Sequence, residues 1–338
     1  MTDGLSCAKA NLDFWENRHV LITGGAGFVG GWLTKKLLTL KANTVVLDLR
    51  TNSPILASLV KKPKLIKGDI NNQSLVKEVL AREEIDTIFH LAAQVEVGVA
   101  NNNPFPTLET NIKGTYNVLE AVRQTKTVSR LIFSSSDKAY GSQKKLPYTE
   151  EMPLNGINPY DASKAYGDWL CQMYFQMFSV PVSITRCGNI YGAGDLHFSR
   201  LIPGTIRSAF FNKNPIIRSN GKYLRDYVYV EDIVNGHLLL AQAMKKKEIL
   251  GQAFNFSTGK PYSVLEVVRK ILALMGKENL KPQILNKAVG EIEKQSLCLE
   301  KAEKMLGWRP AVPFDEGLVK TIEWYDRYFR RLRIKNSE

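Results

Sequence analysis

The eight residues Thr23-Gly-Gly-Ala-Gly-Phe-Val-Gly30 constrain this 338-residue chain more than any other stretch. They join a β-branched run, His19-Val-Leu-Ile-Thr23, to an amphipathic segment from Gly30 to Leu40. A strand that turns sharply into a helix needs residues without a Cβ, and so does a backbone that must approach a pyrophosphate. Both Gly25-x-Gly27-x-x-Gly30 and Gly24-x-x-Gly27-x-x-Gly30 fit the loop. The helix start then offers amide donors and a favourable dipole to phosphate oxygens. Gly24, Gly27, Phe28, Val29 and Gly30 are therefore the candidate dinucleotide contacts.

Asp48 closes the next β-branched run, eighteen residues after Gly30. A carboxylate there accepts hydrogen bonds from ribose hydroxyls and repels a 2′-phosphate, which favours NAD over NADP. Arg50 pulls the other way, since an arginine at that place can hold the phosphate. Asp69-Ile70 after a third short strand are placed to meet adenine. Leu91-Ala92-Ala93 after a fourth supply small side chains where backbone passes a cofactor.

The first half alternates β-branched runs with amphipathic stretches, the mark of parallel βαβ units. Strands are expected at 19–23, 44–48, 64–67, 87–90, 130–134 and 182–186, and helices at 30–40, 72–82 and 161–178. One long helix should end near Thr125. This pattern predicts an α/β fold, a doubly wound parallel sheet with ligand at the carboxyl ends of its strands. After Arg186 glycine and proline punctuate shorter elements, which read as a smaller substrate-covering lobe. Residues 1–186, with 226–257 returning to them, are expected to form the dinucleotide lobe, and 187–225 with 258–332 the second lobe. The last dozen residues, polar and basic, read as a frayed tail.

Composition narrows the function class. No stretch approaches the roughly 20 apolar residues of a membrane helix, and Met1–Arg18 carries Asp3, Lys9, Asp13 and Glu16 with no apolar signal core. Cys7, Cys171, Cys187 and Cys298 form no C-x-x-C pair, so free thiols in a reducing cytoplasm are expected. Four scattered histidines give no metal spacing. The formal charge of +13 sits in short groups such as Lys245-Lys246-Lys247. No basic helix is interleaved with base-stacking aromatics, so the charge suits an anionic small substrate better than nucleic acid.

Chemistry enters with Ser136-Asp137-Lys138 and, after a gap, Tyr160-Asp-Ala-Ser-Lys164. Tyr160 and Lys164 share a helical face. A nearby ammonium and a cationic nicotinamide both make the phenol a better base. Ser136 is placed to bond the substrate hydroxyl that loses its proton. Asp137 and Lys138 offer an acid and a base, provided the first is protonated and the second neutral.

Together with His90-Leu-Ala-Ala93, Asn111-x-x-Gly114, Arg225-Asp-Tyr-Val-Tyr-Val-Glu-Asp232 and Leu306-Gly-Trp308, these motifs resemble an extended short-chain dehydrogenase/reductase over essentially the whole chain. The resemblance implies a Rossmann lobe, tightly held NAD and a nucleotide-diphosphate sugar substrate. Within that family, epimerases carry small residues before V-Y-G, whereas sugar 4,6-dehydratases carry a Thr/Ser-Asp-Glu cluster. Ser136-Asp137-Lys138-Ala-Tyr-Gly141 is similar to the CDP-glucose 4,6-dehydratase branch. Phe14-Trp15, Arg186-Cys-Gly-Asn189 with Gly194-Asp195, and Glu291-Ile-x-x-Gln295-x-Leu297 point the same way. Arg225 to Asp232 looks like the general family instead.

The resemblance implies that Tyr160 and Ser136 serve oxidation at C4, that Lys138 or a water it orients removes the C5 proton, and that Asp137 protonates the departing C6 hydroxyl. Glu96 is the alternative base. Asn189, Arg200, Leu201, Arg218 and Arg225 are the implied substrate contacts. The helices after Pro104 and Pro159, with Tyr166, Trp169, Met173 and Tyr174 as an apolar stripe, match a homodimer contact in that family. A C4 epimerase, needing Tyr160 but not the Asp137–Lys138 couple, is the enzymatic alternative. An NAD-binding sensor or scaffold is the alternative without catalysis.

Overall fold

The computed structural model describes residues 8–288 and 290–335; Cys7 and the start of the N-terminal segment lie outside the described residues. Twelve strands are present among the described residues: β1 (His19–Thr23), β2 (Asn43–Asp48), β3 (Lys64–Lys67), β4 (Thr87–His90), β5 (Arg130–Ser134), β6 (Val182–Cys187), β7 (Asn189–Tyr191), β8 (Ile216–Ile217), β9 (Leu224–Tyr229), β10 (Ala253–Phe256), β11 (Pro261–Ser263) and β12 (Gln283–Ile284). Seven form one sheet in the order β10-β6-β5-β4-β1-β2-β3. Every pairing in it is parallel. This is the doubly wound Rossmann arrangement, with its order reversing between β1 and β4.

Parallel strands covered on both faces must be apolar on both faces, and side-chain alternation divides the two cores. Val20, Ile22, Val46, Phe89 and Ile132 enter one core with Trp15, Leu33, Phe254 and Trp308. Leu21, Val45, Leu47, Ile88, Leu131 and Phe133 enter the other with Val76, Leu119 and Val182. A third core of Phe28, Tyr191, Tyr227, Tyr229, Phe314 and Tyr325 lies under a small sheet ordered β11-β9-β7.

Three expectations are corrected. The long helix ending near Thr125 is broken into Val97–Asn102, Pro104–Leu108, a π turn Glu109–Lys113, and Gly114–Gln124. Pro104 and Pro106 lack an N–H, and Asn103 before Pro104 is extended at φ −144°, so the helix stops there. The break has a use: Asn111 in the π turn accepts from Gln94 N at 2.8 Å and donates to Ser163 Oγ at 2.9 Å, tying the loop after β4 to the helix Pro159–Phe178. The tail is not frayed up to Lys335, because Tyr325 and Phe329, one turn apart, bury a helix Phe314–Lys335 against the third core. Within 226–257, β9 joins the small sheet rather than the large one. The helix Val230–Ala243 packs on the helix Phe28–Thr39, and β10 is the strand that enters the large sheet beside β6.

Candidate active site

Where the order reverses, between the paired strands β1 and β4, the connections leaving their carboxyl ends part to opposite faces of the sheet and leave a crevice. The crevice opens into one cleft of about 1010 Å³ that collects every residue singled out from the sequence, from Gly24 and Asp48 at one end to Arg218 and Arg225 at the other.

The glycine loop resolves its own ambiguity. Gly24 has φ +74°, and a Cβ there would meet Ala92 N at 2.7 Å. A Cβ on Gly30 would land 2.2 Å from the Gly24 carbonyl oxygen. Gly24, Gly27 and Gly30 line the cleft, whereas Gly25 backs onto Val46. Gly27 caps the helix Phe28–Thr39, whose first-turn amides at Phe28, Val29 and Gly30 have no intrahelical acceptor. Asp48 accepts from Ala26 N and Arg50 N, both at 3.0 Å, one on each oxygen. Each oxygen keeps acceptor capacity for a ribose hydroxyl. Arg50 and Asp69 are exposed at the rim, and Ile70 is buried. Leu91 is held by Thr23 O, and Ala92 by Thr23 Oγ1; Ala93 follows them along the cleft wall. Nothing with a side chain larger than methyl stands in the turn itself, so a pyrophosphate fits.

Beyond β5, Ser136 caps a 3-10 turn Asp137–Tyr140: its Oγ accepts from Lys138 N at 3.2 Å and donates to Asp137 Oδ1 at 3.1 Å. Pro159 starts the helix that carries Tyr160 and Lys164. Burial pushes the Tyr160 phenol up to about 12, with Arg200 and the neighbouring Ser136 opposing the rise. Burial draws Lys164 down to about 8, and its Nζ donates to Ser134 O at 2.8 Å. The positive charge acting most on the phenol is thus that of Arg200, where the motif alone suggests Lys164.

Asp137 and Lys138 both line the cleft, the first buried and the second half-buried. Burial raises the Asp137 carboxyl against the pull of Lys138, and burial lowers the Lys138 amine with Arg225 assisting. Each group is displaced towards its neutral form. Asp137 Oδ2 has no hydrogen-bond partner among the described residues. Glu96 is 44% exposed, and its carboxylate lies 4.0 Å from His197 Nε2.

At the far end Asn189 Nδ2 is buried and without a hydrogen-bond partner among the described residues. Arg200 donates to Asp195 Oδ2 at 2.8 Å, and Leu201 begins the helix behind it. Arg225 donates to the carbonyls of Leu224 and Glu293 and reaches Glu291 Oε2 at 3.4 Å. Arg218 is exposed on the cleft wall.

Asp161, Asp195, His197, Glu291 and Gln295 also belong to this neighbourhood and were not singled out as site residues. Four of them stand inside or beside motifs quoted above; what spacing does not reveal is their partners. Asp161, pushed up to about 6 by burial, accepts from Asn158 Nδ2 at 3.3 Å and faces Lys138. Asp195 gathers Arg200 and His197. Tyr174, expected in the exposed stripe, is turned towards Glu120, while Tyr166, Trp169 and Met173 are exposed. No group of His, Cys, Asp and Glu among the described residues has a metal-binding arrangement.

Comparison with known proteins agrees with this geometry. The family model described as GDP-mannose 4,6 dehydratase matches residues 21–321. A dTDP-D-glucose 4,6-dehydratase of Bos taurus is 31% identical over 333 residues, covering 95% of this chain and 92% of its own. A solved dTDP-glucose 4,6-dehydratase of Streptomyces venezuelae, with NAD and TYD bound, superposes with a TM-score of 0.84 at 29% identity, covering 91% of this chain and 97% of its own. A solved epimerase of Methanothermobacter thermautotrophicus superposes with a TM-score of 0.87 at 28% identity, covering 95% and 96%. With the glycine turn, the Tyr160–Lys164 pair and an acid–amine couple in one cleft, and a match over nearly the whole chain, this protein belongs to the GDP-mannose 4,6-dehydratase family of extended short-chain dehydrogenases/reductases.

Proposed function

We propose that the protein is an NAD-dependent nucleotide-sugar 4,6-dehydratase. It converts an NDP-hexose, with CDP-glucose the first candidate, to an NDP-4-keto-6-deoxyhexose and water. The observation that carries the reading is the Asp137–Lys138 couple, buried acid beside half-buried amine and each displaced towards neutrality, in the same cleft as Ser136 and Tyr160. An epimerase at C4 has use for Tyr160 but none for this couple, and withdrawing such groups from water is costly unless it serves chemistry.

Asp48 and the amides of Phe28–Gly30 would hold NAD, with Lys164 at its nicotinamide ribose. When bound, it supplies the acceptor for hydride from C4 and returns that hydride to C6. The protein's own groups move the protons. Tyr160 takes the C4 hydroxyl proton, assisted by Ser136. Lys138 as a neutral amine takes the C5 proton, made acidic by the ketone at C4, and Asp137 gives its proton to the C6 hydroxyl, which leaves as water. Lys138 returns its proton to C5. Ser136, bonded to Asp137 Oδ1 at 3.1 Å, would relay the proton gained by Tyr160 at C4 to the acid that needs one, and the net change is the loss of one water. Asn189, Arg200, Leu201, Arg218 and Arg225 would hold the nucleotide diphosphate, arginine's fork suiting phosphate.

In this reading residues 1–186 with 230–257 form the NAD lobe, and 187–229 with 258–332 the sugar-nucleotide lobe. The exposed Tyr166, Trp169 and Met173 on the helix Pro159–Phe178 support a homodimer. Cys171, Cys187 and Cys298 are free thiols, as a cytoplasmic enzyme would keep them; no helix of the described residues is long and apolar enough to cross a membrane. The test is incubation with CDP-, dTDP-, UDP- and GDP-hexoses followed by mass spectrometry. One substrate should lose a water, and Asp137→Asn should slow that loss about a hundredfold or more. Turnover without any change in mass would favour the epimerase, and full activity in Asp137→Asn would end the dehydratase reading.

A further inference from the structure

Lys138 is the group on which water loss turns, and a residue far along the chain holds its end. Gln295, 157 positions away and 1% exposed, accepts a hydrogen bond from Lys138 Nζ through its Oε1. The segment that carries it is pinned on both sides: Gln295 N donates to Leu224 O at 3.1 Å, and Tyr148 N donates to Ser296 O at 2.8 Å. Four charged groups face the same amine: Asp137 from its own turn, Asp161 from the helix Pro159–Phe178, Arg225 from β9 and Glu291 from the loop of Gln295. Three of the four are carboxylates, yet the hydrogen bond goes to a neutral amide.

We propose that Gln295 is the positioning residue of the C5 base: its uncharged carbonyl orients the Lys138 amine without favouring the ammonium. The proposal rests on the dehydratase reading given above. A neutral amine has two N–H donors and one lone pair. Giving one N–H to Oε1 restricts rotation about Cε–Nζ, so the lone pair keeps one direction relative to the cleft. A carboxylate at this place would orient the nitrogen equally well, but its charge would hold the proton already on the amine. In the step itself the C5–H bond breaks, its electron pair stays on the carbon next to the C4 ketone, and the proton forms a third N–H bond on Nζ. The resulting ammonium keeps its bond to Oε1 and faces Asp161 until it returns the proton to C5.

The experiment uses the full-length enzyme with NAD and CDP-glucose, with dTDP-glucose and GDP-mannose run beside it. It compares wild type, Lys138→Ala, Gln295→Glu and Gln295→Met by pH–rate profile and by solvent deuterium appearing at C5 of the product. Gln295→Glu should move the acidic limb of kcat to higher pH by about one unit, a tenfold loss below the limb, because the base must now shed a better-held proton. Gln295→Met should lower kcat and the rate of C5 exchange roughly tenfold to a hundredfold with KM nearly unchanged. An unmoved limb in Gln295→Glu, or wild-type kcat in Gln295→Met, overturns the proposal. Full C5 exchange in Lys138→Ala overturns instead the reading on which it rests, so the two failures are told apart.

Discussion

Arg200 and Asp161 show how much of the site is decided by single residues that touch one another across elements. Arg200 opposes the burial that keeps the Tyr160 phenol protonated. Replacing it by methionine should therefore shift the acidic limb of kcat to higher pH, because the phenol becomes a weaker acid and the base form appears later. KM should rise as well if the guanidinium holds phosphate; an unmoved limb would remove Arg200 from the acid–base set. Asp161 gives a stability signature. Its pKa is raised from 3.8 to about 6 in the folded protein, mainly by burial. The native state thus binds the extra proton between those values, and stability falls as pH rises through the window. Asp161→Asn keeps an acceptor for Asn158 and never ionises. Its melting temperature should exceed wild type at pH 8, by an amount worth at most about 3 kcal/mol, with the difference fading towards pH 4. Equal melting curves at both pH values would show that Asp161 titrates normally.

At the scale of elements, turns rather than helices or strands carry the site. The Gly24–Gly30 turn is closed so tightly that a methyl group on Gly30 collides with its own loop carbonyl. Gly30→Ala should weaken NAD binding more than tenfold in calorimetry and lower the melting temperature, because the helix start must shift away from the pyrophosphate. Retained affinity would mean that the helix start does not hold the cofactor. The other turn, Asp137–Tyr140, exists because Ser136 caps it, which places acid and amine side by side at the end of β5. Strand positions were legible as β-branched runs, and β1, β3, β4 and β5 fall where the sequence puts them. The helix before Gln124 was legible in part: a start after Pro104 was expected, but not the separate segment Val97–Asn102 or the π turn Glu109–Lys113. β10 is not legible because four residues, Ala253-Phe-Asn-Phe256, with a polar Asn255 among them, read equally well as part of a loop until β6 is there to pair with them.

For the whole molecule, the exposed ring cluster is the feature that a single chain leaves unexplained. Tyr166 and Trp169 stack edge to face at 5.8 Å and remain about half exposed, with Met177 further along the same helix at 71%. Trp169→Asp should halve the particle mass found by light scattering if this face joins two copies, since a charge cannot enter an apolar contact unpaired. An unchanged mass would place the interface, if one exists, elsewhere. The helix concerned also carries Tyr160 and Lys164, so monomerisation should reduce activity together with mass.

Local chemistry settled much of this protein before any contact was known. A glycine turn between strand and helix, an acid at the end of β2, and a tyrosine with a lysine one turn later each follow from short-range sterics and helical spacing, which a linear sequence displays in full. Side-chain partners separated by long stretches of chain depend on how the sheet and its covering lobe fold back. Only the tertiary structure therefore tells that Arg200 rather than Lys164 most eases the phenol, that Asp161 leans on Lys138, and that Gln295 holds the amine. The displaced protonation of Asp137 and Lys138 comes from the same source, because water is excluded by the assembled cleft and by no single segment of it.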